Sequence, residues 1–172
     1  MMPRILARAL CAVLFASLLS AAEPSLRIEG VAGRDGVVKP PLVLTLTDLA
    51  AMPRTKIQAR THDNQEHTFE GVLLSEVFKR AGMPAGENLR GPLLTRYLVM
   101  SAHDGYRVLF SLPELDPAFG DGRALIADRV DGAPLAAQQG PLRLVVPAEK
   151  REARWIRMLE KIEVLSAPEP MR

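Results

Sequence analysis

Three histidines, the Asp104-Gly105 turn and a run of arginines are the residues whose types and spacing bear on chemistry. His62 and His67 stand five apart across a predicted turn, so both rings can face one another. With Asp63 or Glu66 as a third donor they form a candidate metal site; the alternative is an exposed polar hairpin tip. In His103-Asp104-Gly105-Tyr106, Gly105 permits positive φ and Asp104 fits the turn. The flanking side chains then project into a shared cleft, or Tyr106 is a core aromatic of an ordinary hairpin. Arg143 follows Gly140-Pro141, and Lys150, Arg151 and Arg154 follow Pro147. Such cations hold an anionic or polar-heterocyclic ligand, arginine bidentately, unless they form a solvated face paired with Glu149, Glu152 and Glu160. Trp155 among them is either core or a platform on which a flat ring stacks. The chain has no G-x-S-x-G nucleophile elbow and no G-x-x-x-x-G-K-[ST] phosphate loop.

The elements that must position these groups are short. Val43–Leu46 reads as a strand, followed by a turn of helix through Leu49–Met52 capped by Thr47 or Asp48 and stopped by Pro53. Lys56–His62 alternates as a half-buried strand, with a return strand at His67–Phe69. Leu73, Leu74, Val77, Phe78 and Ala81 recur at helical spacing, and Gly82 and Pro84 punctuate the end. Tyr97–Ala102 and Tyr106–Leu112 flank Asp104-Gly105, a strong hairpin signal. Ala124–Ile126, a turn at Asp131-Gly132 and Leu142–Val146 add further strand. Trp155, Leu159 and Ile162 predict a helix over Glu152–Ile162. Many short strands with two or three helices argue for one α+β domain.

At 172 residues, 48% hydrophobic and 24% charged, the chain fits a single folded domain. Arg4 and Arg8, the apolar run Ala9–Leu19 and the small residues Ser20-Ala21-Ala22 have the form of a secretory signal peptide over residues 1–22. The expected protein is therefore periplasmic or secreted. Without that leader, twenty basic residues balance twenty acidic ones. This balance argues against nucleic acid as a partner. The only cysteine is Cys11, so beyond the leader there is no thiol for a disulfide or a metal. Residues 23–41 read as a polar N-terminal segment, 42–165 as the domain and 166–172 as a tail.

The order of segments resembles a known family. It runs Thr45-Leu46-Thr47-Asp48-Leu49 before Pro53; Phe69-Glu70-Gly71-Val72-Leu73-Leu74; Asp104-Gly105-Tyr106 before Glu114; Gly132-Ala133-Pro134-Leu135; Gly140-Pro141-Leu142-Arg143-Leu144-Val145-Val146-Pro147; then Trp155 before Ile162-Glu163-Val164. Over most of residues 42–165 this is similar to the molybdopterin-binding domain of the sulfite oxidase family. The resemblance implies a compact mixed-sheet α+β fold and a molybdenum-carrying pterin ligated by one cysteine thiolate near Ala59-Arg60-Thr61, where this chain has none. Neither Thr nor Arg replaces a soft anionic thiolate in kind.

The resemblance, together with the missing thiolate, implies a ligand-binding protein that takes a pterin without metal rather than a catalyst. Similar exported proteins act as sensors that signal to a membrane protein. Arg60 and Arg143 would donate to ring acceptors, and Asp104 or Glu114 would accept from the pterin's amino and ring N–H groups. Tyr106 or Trp155 would stack, and the strand carrying Arg60 and His62 would line the pocket. Two alternatives stand beside this reading. One is a molybdenum cofactor-dependent oxidoreductase with Lys150, Arg151 or Arg154 on the cofactor's phosphate. The other is a structural interaction domain with an empty pocket.

Overall fold

The computed structural model describes residues 23–33 and 37–168. The expected leader over residues 1–22, Gly36 and the last four residues of the expected tail lie outside that range. Among the described residues, ten strands and two short α-helices run in the order β1 (Ser25–Glu29), β2 (Leu42–Thr45), α1 (Leu46–Ala50), β3 (Arg54–Arg60), β4 (Glu66–Leu73), α2 (Leu74–Ala81), β5 (Arg96–Ala102), β6 (Arg107–Ser111), β7 (Leu125–Val130), β8 (Ala133–Pro134), β9 (Arg143–Val145) and β10 (Leu159–Ser166). One sheet has the order β2-β1-β10-β5-β6; the other runs β3-β4-β7-β8, with β9 also paired to β7. In the first, β1 lies parallel to β10, with Ile28 opposite Ile162, and all other pairings are antiparallel. The architecture is the expected α+β arrangement of mixed sheets.

Side-chain alternation explains the strands. In β5, Arg96, Leu98, Met100 and Ala102 are buried, and the residues between them are half-buried. In β3, Ile57 and Ala59 are buried while Lys56, Gln58 and Arg60 are exposed. Both sheets feed one continuous apolar core. The helix α2 adds Leu74, Val77 and Phe78 to it and ends where Gly82 adopts φ 69°. Gly71 on β4 lies where another strand passes close: a Cβ there would stand 2.0 Å from the Ile126 carbonyl oxygen.

Three sequence expectations need correction. The polar segment 23–41 contains β1, whose Leu26 and Ile28 are fully buried between β2 and β10. Alternation over five residues is too brief to stand out from a polar stretch. The first helix starts at Leu46, and its cap is Thr45: its hydroxyl accepts from the Asp48 N–H while the Asp48 carboxylate accepts from the Thr45 N–H. The helix expected over Glu152–Ile162 is a 3-10 turn at Glu152–Arg154 followed by β10. The bulge between Leu159 and Lys161 puts Leu159 and Ile162 on one buried face of a strand at an interval that imitates a helix.

Candidate functional site

Residues 152–157 belong to the connection between β9 of one sheet and β10 of the other, and they form the wall between two adjoining clefts. The larger cleft, about 470 Å³, is bounded by the β3–β4 turn (Thr61, His62, Asp63), by His67 and Phe69 of β4, and by Val130 and Asp131 at the end of β7. Gln139, Arg143, Glu152, Trp155 and Arg157 complete it. The smaller, about 290 Å³, adds Asp104 and Tyr106 from the β5–β6 hairpin and shares Glu152, Trp155 and Arg157.

Arg143 is the centre of the larger cleft. It is 5% exposed, and its guanidinium carbon lies 5.4 Å from the Phe69 ring centroid and 5.7 Å from that of Trp155. The two rings meet edge-to-face, 6.1 Å apart. Arg143 Nη1 donates to Gln139 Oε1 at 2.6 Å and Nη2 to Glu152 Oε2. Burial pushes the guanidinium below its ordinary pKa; the Glu152 carboxylate opposes this, and the charge of Arg157 reinforces it. The other Glu152 oxygen accepts from the backbone N–H of His62, which ties the β3–β4 turn to the wall. Arg143 Nε and Trp155 Nε1 are buried donors with no acceptor among the described residues, an arrangement that folded chains avoid unless something else supplies the acceptor.

The rim is acidic. Asp131 Oδ2 lies 2.6 Å from His67 Nδ1, and Asp131 Oδ1 accepts from the Thr68 N–H. These bonds, His67 first, hold the Asp131 carboxyl below the usual range. Asp63 is likewise lowered, by the Thr61 hydroxyl and then the Gln65 N–H. In the smaller cleft Asp104 Oδ1 accepts from the Tyr106 N–H at 2.9 Å, and Tyr106 Oη donates to the Ala153 carbonyl at 2.6 Å.

Of the sequence-derived candidates, His62, Arg143 and Trp155 meet in the larger cleft, and Asp104, Tyr106 and Trp155 in the smaller. Asp63 and His67 of the metal-site reading also line the larger cleft, whereas Arg60, Glu114, Lys150, Arg151 and Arg154 line neither. Arg60 points away: its guanidinium donates to the Asn64 carbonyl at 3.0 Å and faces Glu66. Glu114 and Arg154 are spent on each other at 3.0 Å, and Arg154 also covers the Phe110 ring and pairs with Glu149. Lys150 and Arg151 lie outside both clefts. Among the described residues no group of three His, Cys, Asp or Glu is placed to hold a metal ion; His62 faces Glu152, and His67 is paired with Asp131. Sequence reasoning missed Glu152 and Arg157 as site residues. Their signal was position: they flank Trp155 in the same charged run.

Three comparisons bear on this geometry. The oxidoreductase molybdopterin binding domain family matches over residues 25–172. Among solved structures, the sulfane dehydrogenase SoxCD from Paracoccus pantotrophus is similar, with TM-score 0.62 and 20% identity over 82% of this chain and 38% of that one. At that identity the likeness establishes the fold, and this chain spans well under half of its neighbour. No curated protein matches the sequence.

Proposed function

The chain belongs to the oxidoreductase molybdopterin binding domain family and has its sulfite oxidase-like fold, and on that premise we propose that it binds a pterin-type heterocycle without molybdenum in the cleft floored by Arg143, Phe69 and Trp155. The observation that carries this reading is the pair of buried donors, Arg143 Nε and Trp155 Nε1, left without acceptors in an aromatic-walled cleft. A pterin offers ring nitrogens and a carbonyl oxygen as acceptors, a flat face for aromatic contact, and an amino edge for carboxylates such as Asp63 and Asp131 of the same cleft.

A thiolate-ligated molybdenum does not fit these residues. The chain's one cysteine is Cys11, outside the described residues. Every polar group lining the larger cleft is an oxygen or nitrogen donor, and Thr61 stands in the region where the family resemblance places the thiolate. The reading is therefore of a binding protein, not a molybdenum-dependent catalyst. We include in the proposal that the chain is exported, on the leader-type sequence of residues 1–22, and that its ligand-bound form is read by a membrane partner.

Trp155 is the only tryptophan in the chain and lines both clefts, so it reports on occupancy directly. Titrating the purified chain with neopterin is expected to change Trp155 fluorescence saturably, at one site per chain. A linear, non-saturating response would overturn the reading.

A further inference from the structure

We propose that Glu152 sets the charge selectivity of the cleft, so that uncharged pterins are taken in preference to the same pterins carrying a phosphate. The inference rests on the heterocycle-binding reading and deepens it. Two arginines, Arg143 and Arg157, line the larger cleft, and Arg157 has no ion-pair partner among the described residues. Alone, such a pair would favour phosphate or sulfate, which guanidinium groups grip bidentately. Glu152 already occupies the position an anion would take. One of its oxygens accepts from Arg143 and the other from the His62 N–H, and its side chain is 15% exposed.

An anionic ligand group would have to displace this carboxylate or lie against it. It would also face Asp63 and Asp131, which add two more carboxylates to the same cleft. Juxtaposed like charges reject the wrong partner, and specificity comes from such repulsion together with the contacts that favour the right one. An uncharged heterocycle needs only hydrogen-bond complementarity, which the two unpaired donors offer.

The test compares neopterin with neopterin monophosphate by titration calorimetry on the purified chain. Wild-type protein is expected to bind neopterin about tenfold or more tightly than the phosphate. In Glu152→Gln the preference should fall about tenfold or reverse, because Arg143 and Arg157 are left as a cation pair. The double variant Arg143→Gln, Glu152→Gln has the wild-type net charge and should return toward the wild-type ratio. Equal affinities, or tighter phosphate binding, in wild-type protein would overturn the proposal, and that measurement needs no variant to fold. An unchanged ratio in Glu152→Gln would overturn it too. Failure of wild-type protein to bind either pterin would instead remove the reading beneath it.

Discussion

Arg143 illustrates how a residue's partner decides its role. By type alone it is an anion binder, and the sequence reading gave it a ligand-facing role. The fold buries it on two aromatic rings and satisfies one arm with Gln139 and another with Glu152, leaving only Nε uncommitted. That partner was visible in sequence only as one of several acids in a charged run. Arg154 shows the converse: it looked equally available but is held by Glu114 and Glu149. Spacing brings cations into a neighbourhood, but their side-chain partners are fixed by contacts between strands distant in sequence. The rim makes a pH prediction. Hydrogen bonds from His67 and the Thr68 N–H lower the Asp131 carboxyl in the folded chain. Their contribution to stability is present above the unfolded-state value of about 3.9 and is lost as pH falls through the folded value. Asp131→Asn should therefore flatten the fall in urea midpoint on acidification below about pH 4. An unaltered slope would mean that the pair does not contribute.

At the scale of elements, the sequence spoke clearly where one period held without interruption. The helix α2 and the hairpin at Asp104-Gly105 were legible because Leu74, Val77 and Phe78 keep a helical interval and the Asp-Gly turn sits between apolar runs. β10 was not, because its bulge shifts the phase of alternation between Leu159 and Ile162. β4 carries the sharpest test of packing. Gly71 sits at the register shift between β4 and β7, and an added Cβ would meet the Ile126 carbonyl oxygen at 2.0 Å and Ala127 Cα at 2.7 Å. Both obstacles are backbone, which cannot swing aside. Gly71→Ala should cost about 3 kcal/mol or more by chemical denaturation; a loss under about 1 kcal/mol would show that the strands separate easily. The positions are coupled to the site, because His67 and Phe69 stand on the same strand.

For the whole molecule, the site is a property of the junction between the sheets. One cleft draws on the β3–β4 turn, on β4, β7 and β9 and on the connections that follow β7, the other on the β5–β6 hairpin, and the segment crossing between the sheets supplies Glu152, Trp155 and Arg157 to both. The order of motifs along the sequence was enough to anticipate the family, since Gly71, the Asp104-Gly105 hairpin and the strand after Pro141 each build a piece of that frame. It was not enough to separate Arg60 from the cleft: only the strand's pairing shows that Arg60 lies on the exposed face of β3, across from Glu66. Cys11 is the one cysteine of the sequence, and in the reading proposed above such a frame holds a flat organic ring in place of a thiolate-anchored metal. Native mass spectrometry of the chain isolated from cells that make molybdenum cofactor tests this most directly. The account predicts a bound species with the mass of a pterin and no molybdenum. A molybdenum-bearing cofactor at one per chain would contradict it.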